Sequence, residues 1–385
     1  MKSNSKEQIE GYKDQIKEIG ILRKYGAERT LEKGQVLDAI NTLHPKSIDL
    51  KVARIIKETQ TTSTLRLVAK NGFLPPFQAG QYINLFVEIN SVRTSRPYSI
   101  SSAPNQTGFY DITVRCVEDG FVSPYLNDQI QVGDSLSSTS PTGNFYYNPL
   151  FHGKDLVFLA GGSGITPFMS MIREVTDRGL TRQIHLIYGS RKEDDIVFHE
   201  ELADRSSYSD RFKLFHVISE PSPDYSGEKG FITKELIQKL VGNIDQKTFY
   251  ICGPPVMSAF VSNVLQDLAV PGRRIRKEIF GPPLDITQQP GWPQTVKSKD
   301  QFNVILNKGK AIKAAAGEPL MNSLERSGVV IPAACRSGEC SLCRTKVLKG
   351  KVYQPQGVKL RKSDKKYNYI HPCMAYPIED LELLI

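Results

Sequence analysis

Residues 155–172 read Asp-Leu-Val-Phe-Leu-Ala-Gly-Gly-Ser-Gly-Ile-Thr-Pro-Phe-Met-Ser-Met-Ile, and this stretch decides the architecture of the middle of the chain. Its first six residues are apolar almost without interruption, as in a strand covered on both faces, whereas a half-exposed strand would alternate. The glycine run that follows turns sharply. Thr166 has the chemistry of a helix N-cap and Pro167 that of a first helical residue, which needs no N–H partner. A helix starting there would present free N–H groups from Gly161, Gly162, Gly164 and their neighbours, and such an end attracts phosphate. A plain tight turn from strand to helix is the other reading, and the loop departs from the strict G-x-G-x-x-G fingerprint.

Working outward, Gln183–Tyr188, Lys213–Val217 and Thr248–Cys252 repeat the continuous apolar run, with helix-length stretches between them. That pattern predicts a parallel sheet with helices on both faces. Upstream, from Asp49 to about Tyr147, the pattern alternates: Thr64–Val68, Tyr82–Val87 and Asp111–Arg115 read as short strands separated by Gly, Pro and Asn turns, hence an antiparallel barrel or sandwich. Residues 1–48 are charged and mostly helical, with Ile9, Tyr12, Ile16 and Ile19 three or four apart. Gly20, Gly26 and Gly34 interrupt them, which predicts two short helices. Downstream, Gly281 to Pro293 reads as a flexible Pro/Gly-rich linker, and the remainder is a compact α+β unit with one helix around Pro319–Gly328. The expected division is therefore an extension at 1–48, a barrel at 49–149, a parallel-sheet domain at 150–280, a linker at 281–298 and a last domain at 299–385.

Composition agrees with a multidomain globular chain: 385 residues, 39% hydrophobic and 24% charged. No apolar run reaches the ~18 residues of a membrane span. Met1–Lys17 lacks the pattern of a secretory signal, so a cytoplasmic location is expected. The net charge of +9 is concentrated late: from Ser298 onward 15 Lys and Arg face eight Asp and Glu. No helix-turn-helix, zinc-finger or basic-zipper pattern accompanies that excess, so nucleic acid is not the expected partner.

Cysteines occur at 116, 252, 335, 340, 343 and 373. Without an export signal, clustered cysteines favour metal or redox use over disulfides. Cys335, Cys340 and Cys343, followed much later by Cys373, have the spacing of a plant-type [2Fe-2S] site, in which one loop supplies three thiolates and a separate segment the fourth. Gly338 sits where that loop must bend. A structural zinc site would pair two short cysteine knuckles, and only one is present. A Rieske centre would need two histidines, and only His371 is near. Arg96-Pro97-Tyr98-Ser99 places a phosphate-binding guanidinium, a ring and a hydroxyl on one strand, with Arg96 and Tyr98 sharing a face. Alone, it also reads as an ordinary solvated strand.

Taken in order, Arg96–Ser99, Gly161–Pro167, Cys252-Gly253-Pro254-Pro255 and the four cysteines resemble, over residues 50–385, the ferredoxin–NADP⁺ reductase superfamily with a C-terminal plant-type ferredoxin domain of β-grasp type, as in oxygenase reductase components. The resemblance implies FAD in the barrel, NAD(P)H on the parallel-sheet domain and a [2Fe-2S] cluster on Cys335, Cys340, Cys343 and Cys373. Arg96 would bind the flavin phosphate and Tyr98 would stack on the isoalloxazine. Ser99 would hydrogen-bond near N5, with Pro97 shaping the strand. Gly120-Phe121-Val122-Ser123 resembles the second flavin-phosphate turn, more common with FAD than FMN. Cys252, with Gly253 and Pro254, would lie beside the nicotinamide. Glu278 and Phe280 belong to a closing segment near the flavin, which makes Ser99, Cys252 and Glu278 the candidate catalytic residues. Cys252 also reads as a small buried hydrophobe, Phe280 as interface packing and Cys116 as core. Ser140-Pro141-Thr142-Gly143 departs from the family's Gly-Pro-x-Gly turn. Ser190 and Arg191 could hold a 2′-phosphate, but Glu220 at the next strand end opposes one and favours NADH.

Hydride brings two electrons and the cluster accepts one, so a flavin between them is the chemical reason for this order of domains. The expected product is a reductase that passes electrons to a partner protein such as an oxygenase, whose surface would be acidic if the basic C-terminal domain guides it. The alternatives are an electron-transfer or redox-sensing subunit of a larger complex and a flavin-dependent reductase of a small molecule.

Overall fold

The computed structural model describes residues 11–25, 34–118, 120–283, 285–307 and 309–385. It divides into two compact units, Met1–His44 and Pro45–Ile385. The first contains helices Tyr12–Tyr25 and Gln35–Leu43. Gly20 does not break the first helix. A lone interior glycine costs ~1 kcal/mol, which the helix formers around it absorb. Gly34 does bound the second helix, at φ 129°, while Gly26 and Ile9 lie outside the described residues. Ile16, Ile19, Leu37 and Ile40 are exposed.

The second unit begins with a six-stranded antiparallel sheet in the order 92–99, 82–89, 135–138, 48–59, 62–69, 110–115. A bridge between Ile100 and Ile112 brings its two ends together, and Leu50, Leu65, Ile83, Leu85 and Ile112 fill the interior. This is the expected barrel, and its alternating residues form the core because every second side chain points inward. Cys116 departs from its core reading: it stands just past the strand Tyr110–Arg115 and is partly exposed.

A second six-stranded sheet follows in the order 228–229, 212–218, 183–190, 155–161, 248–252, 275–278, every pairing parallel. Apolar clusters cover both of its faces, which accounts for the unbroken apolar runs. The strand order reverses between Asp155–Gly161 and Thr248–Cys252. Crevices for ligands open at such a switch point, at the carboxyl ends of the strands.

The last domain is a five-stranded mixed sheet in the order 311–315, 301–306, 381–384, 345–349, 369–370. The strands Gln301–Leu306 and Leu381–Leu384 run parallel, and the helix Leu320–Arg326 packs its Leu320, Met321 and Leu324 into the sheet's core. The segment read as a flexible linker is partly anchored to this domain. Ile286 and Trp292 are buried against Ala316 and Tyr376, and Trp292 Nε1 donates to Val296 O at 2.9 Å. Burial of one isoleucine and one tryptophan offsets the entropy that glycine and proline spacing would otherwise leave. Among the described residues no helix is long and apolar enough to cross a membrane.

Candidate functional site

Two motifs meet at the switch point. The helix after the glycine loop runs Ile165–Asp177 and is preceded by a short 3₁₀ turn at Gly162–Gly164. The helix thus starts earlier than Thr166 and Pro167 suggested. Thr166 lies inside its first turn, with Oγ1 donating to Ser163 O at 2.8 Å, and Pro167 is tolerated because the first-turn N–H groups have no intrahelical partner. Gly164 is required by contact. A Cβ there would lie 2.2 Å from Cys252 O and 2.7 Å from Gly253 Cα, so the loop rests directly on the turn after the neighbouring strand.

A cavity of about 830 Å³ opens over this junction, lined by Gly161, Gly162, Ser190, Arg191 and Pro254 from the expected set. Arg115, Ser219, Phe231, Val256, Met257 and Phe260 are among the others that line it. Arg115 arrives from the barrel and lies 3.7 Å from Asp195. The Phe231 and Phe260 rings stand 6.4 Å apart, with Phe231 70% exposed, and give this cavity an open apolar wall. No motif pointed to them, because phenylalanine in an apolar run reads as core. Arg191 Nε donates to Glu220 Oε1 at 2.8 Å, so a carboxylate stands beside the guanidinium that could take a 2′-phosphate.

Cys252 is 1% exposed. Burial pushes its thiol well above the ordinary range, with Glu278 adding to the effect. Register sets Cys252 beside Glu278 on the edge strand Ile275–Glu278 and beside Ala160 on the other side. Glu278 is itself pushed well above the usual carboxylate range, first by desolvation and then by Glu339, and its Oε2 has no hydrogen-bond partner. The Phe280 ring meets that of Tyr82 edge-on at 6.1 Å. Both line a cleft of about 990 Å³, together with Gly143, Glu278, Cys335 and Cys340 among others. Barrel, parallel sheet and ferredoxin domain all contribute to it.

The four motif cysteines converge as two pairs. Cys335 Sγ accepts N–H groups from Ser337, Glu339 and Cys340 at 3.5, 3.4 and 3.3 Å. Cys343 and Cys373 bring their sulfurs to 3.4 Å. Within each pair one thiol is lowered and the other raised: the hydrogen bond from Cys340 brings Cys335 to about 4 and raises Cys340. Cys343 is lowered and Cys373 raised in the same way. Among the described residues no three Cys, His, Asp or Glu side chains gather around one point. Two thiol pairs, with N–H groups aimed at sulfur, fit a binuclear cluster, whose two irons each take two thiolates, and do not fit a single tetrahedral ion. Gly338, at φ 75°, makes the bend. His371, fully buried, joins Nδ1 to Gly338 O at 3.0 Å and so holds the loop.

Arg96 and Tyr98 do not line the cleft. Tyr98 packs against the barrel core, and Ser99, 5% exposed, sits opposite Tyr82 in register. Arg96 lies against the ferredoxin domain: Nη1 donates to Thr94 Oγ1 and Ser95 O, each at 2.7 Å, and lies 3.8 Å from Glu325 Oε2. Arg336, beside Cys335, also pairs with Glu325. Two guanidiniums thus share one carboxylate. Desolvation, then Arg336, lowers Arg96 to about 10, and Arg336 Nε has no partner. Two guanidiniums against one carboxylate, one of them on the strand expected to hold a diphosphate, leave an excess of positive charge that fits that group. The Gly120–Ser123 turn closes on itself, with Ser123 Oγ accepting Val117 N–H at 3.0 Å, and Val122 is buried.

Comparison with known proteins gives three family models in chain order: an oxidoreductase FAD-binding domain over residues 48–147, an oxidoreductase NAD-binding domain over 158–263 and a 2Fe-2S iron-sulfur cluster binding domain over 303–377. The glycine betaine monooxygenase reductase subunit of Chromohalobacter salexigens is 29% identical over 86% of this chain and 93% of its own length. The NADH oxidoreductase HCR of Escherichia coli is 29% identical over 87% and 96%. A solved structure of phthalate dioxygenase reductase shares the fold, with a TM-score of 0.65 and 24% identity over 88% of this chain and 97% of that one. With FAD, NAD(P)H and [2Fe-2S] domains in this order, the chain belongs to the ferredoxin–NADP⁺ reductase superfamily as a flavoprotein with a C-terminal plant-type ferredoxin domain.

Proposed function

We propose that this chain is the reductase component of an oxygenase system, taking electrons from NADH and delivering them singly to a partner protein in the cytoplasm. The observation that carries the reading is the shared cleft, where Glu278 and Phe280 from the parallel sheet face Cys335 and Cys340 of the cluster loop across Tyr82 of the barrel. When bound, FAD and the [2Fe-2S] centre supply the conversion between a two-electron hydride donor and one-electron delivery.

The residues of this chain do the rest. Arg96 is the flavin-phosphate ligand, Gly120, Val122 and Ser123 form the second phosphate turn, and Pro97, Tyr98 and Ser99 shape the ring's side of the barrel. Gly161, Gly162 and Gly164, with Thr166 and Pro167, let a nucleotide approach the helix end. Ser190 and Arg191 flank its ribose, and the Glu220 carboxylate paired with Arg191, which would repel a 2′-phosphate and suit ribose hydroxyls, supports NADH over NADPH. Cys252, Gly253 and Pro254 close against the nicotinamide. Glu278, whose carboxyl burial raises well above the usual carboxylate range, stands at the cleft wall with Oε2 free of hydrogen bonds. The likeness to oxygenase reductase subunits supports an oxygenase as acceptor.

Cys340→Ser tests this reading. The variant should lose the visible absorbance of the cluster and most cytochrome c reduction, while NADH–ferricyanide activity persists. Full cytochrome c turnover without the cluster would make the flavin the exit and favour a small-molecule reductase. Negligible NADH–ferricyanide activity of the flavin-loaded wild type would favour a non-catalytic subunit.

A further inference from the structure

The contact between barrel and ferredoxin domain is polar, and its members are more deeply buried than most of the site. Thr94, Asn84, Glu325 and Arg336 are 2%, 0%, 4% and 6% exposed. Thr94 Oγ1 donates to Glu325 Oε2 at 2.9 Å, Arg336 Nη2 donates to Thr94 Oγ1 at 3.2 Å, and Asn84 Nδ2 donates to Ala333 O at 2.6 Å. Glu325 leaves the end of the helix Leu320–Arg326, and Arg336 follows the first cluster cysteine. The carboxylate that both arginines need is therefore supplied by the domain that carries the cluster. Arg96, about a quarter exposed, stands 3.8 Å from Glu325 Oε2, so Glu325 serves as its counter-ion only while the two domains are docked. Among the described residues, the hydrogen bonds of Arg96 all leave from Nη1, which keeps the rest of the fork open to a second anion.

We propose that Glu325 and the phosphate of FAD compete for Arg96, so that flavin binding and docking of the ferredoxin domain on the barrel oppose each other. The proposal rests on the reading of Arg96 as the flavin-phosphate ligand. A phosphate on the fork stands within one guanidinium of the Glu325 carboxylate, and two anions in a poorly solvated interface repel. Arg336 moderates the repulsion by drawing Glu325 toward itself. By linkage, whatever weakens the Glu325–Arg96 contact tightens FAD, and FAD weakens the contact by the same factor. Flavin loading would then loosen the ferredoxin domain from the position seen here and free it to meet an outside acceptor.

The test uses cluster-loaded, flavin-stripped full-length protein titrated with FAD, with binding read from quenching of flavin fluorescence and docking from hydrogen exchange in Leu320–Arg326. In wild type, FAD should raise exchange in that helix. Glu325→Gln should tighten FAD by ~10-fold, within the usual range of coupling between sites, and Thr94→Val should act in the same direction without changing any charge. Arg336→Met should weaken FAD by a similar factor, and its effect should vanish in the Glu325→Gln background. A merely structural interface would move all three variants the same way. Unchanged or weaker FAD binding in both Glu325→Gln and Thr94→Val overturns the competition, and so does unaltered exchange in wild type. Arg336→Met that still weakens FAD when Glu325 is Gln makes Arg336 a direct ligand and overturns it too. Arg96→Ala that binds FAD as tightly as wild type sinks the reading of Arg96 itself, a separate failure.

Discussion

Replacing Gly164 with alanine isolates what the glycine loop contributes. Its φ of −64° and ψ of −7° are helical, so alanine meets no backbone strain and would even stabilise by ~0.4–1 kcal/mol through the unfolded chain. The obstacle is contact. The new Cβ would lie 2.2 Å from Cys252 O, 2.5 Å from Cys252 C and 2.7 Å from Gly253 Cα, where ordinary contact begins at 3.4 Å. All three atoms are backbone, so no side chain can swing away, and the loop and the 252–253 turn must part by more than an ångström. Overpacking of this kind costs ~1–3 kcal/mol, which leaves a net loss of roughly 1–2 kcal/mol. The larger effect falls on positioning, since a shift of about 1 Å in groups that align reactants can cost ~100-fold in rate. Steady-state NADH–ferricyanide assays should show kcat/KM lowered at least ~10-fold, with a lower unfolding temperature. Gly189→Ala is the control. It faces the same cavity, but its Cβ would meet only Ala160 O at 3.6 Å and Ile232 Cδ1 at 3.9 Å, so it should stay within about twofold of wild type. A Gly164→Ala enzyme with wild-type kcat/KM and stability would mean that this contact aligns nothing.

Glu220→Gln should raise kcat/KM for NADPH relative to NADH by releasing Arg191 from its carboxylate; a ratio that stays put or falls would separate Glu220 from nucleotide choice. Burial lowers His185 and His216 to about 4, with Lys247 and then Lys213 adding to the first and His199 to the second. Because the unfolded chain takes up these protons near pH 6.5 and the native state does not, stability should be full above that pH and decline toward pH 4, by roughly 2–4 kcal/mol in total after allowing for partial solvent exposure. Equal urea midpoints at pH 7.5 and pH 5 would contradict this. Lys362, Lys365 and Lys366 are exposed on a short helix of the ferredoxin domain; changing all three to Glu should slow reduction of an acidic partner at low salt and spare ferricyanide, whereas a rate with the true acceptor that ignores both salt and the substitutions would make this face ordinary solvation.

What the sequence made legible is what periodicity and covalent spacing encode. Asp155–Ala160 announced a strand covered on both faces, and the cysteine spacing announced a loop closed by a distant fourth ligand; both are local or nearly local patterns. The cleft was not legible as a cleft, because Tyr82, Glu278 and Cys340 are brought together by three different domains. Phe231 and Phe260 carry no mark that separates a cavity wall from a core. Glu325 and Arg336 were invisible for a related reason, since a charged residue late in a helix and another beside a cysteine each read as solvated, and only docking buries them. The helix start was misplaced by about two residues because Thr-Pro imitates a cap, while the actual beginning is set by the fit of Gly164 against Cys252.

The course of the chain after the parallel sheet explains why these parts share one place. The edge strand Ile275–Glu278 pairs with Thr248–Cys252, so the last residue of the sheet is held beside Cys252. Two residues later Phe280 meets Tyr82 of the barrel, and Gly281, at φ 75°, turns the chain away. By Ile286 it is already buried in the core that includes Ala316 and Tyr376 of the ferredoxin domain. The stretch between the two anchors is thus only a few residues long, much shorter than the Pro/Gly composition of 281–293 implied. A tether of that length cannot carry the cluster far, because an extended chain spans at most ~3.3–3.6 Å per residue. Once released from its contact, the ferredoxin domain would therefore remain within a short reach of the cleft. A short tether keeps the effective concentration of the cluster loop at the cleft high, which gives the polar contact through Glu325, more than the length of the linker, the means to set how firmly the domain is held.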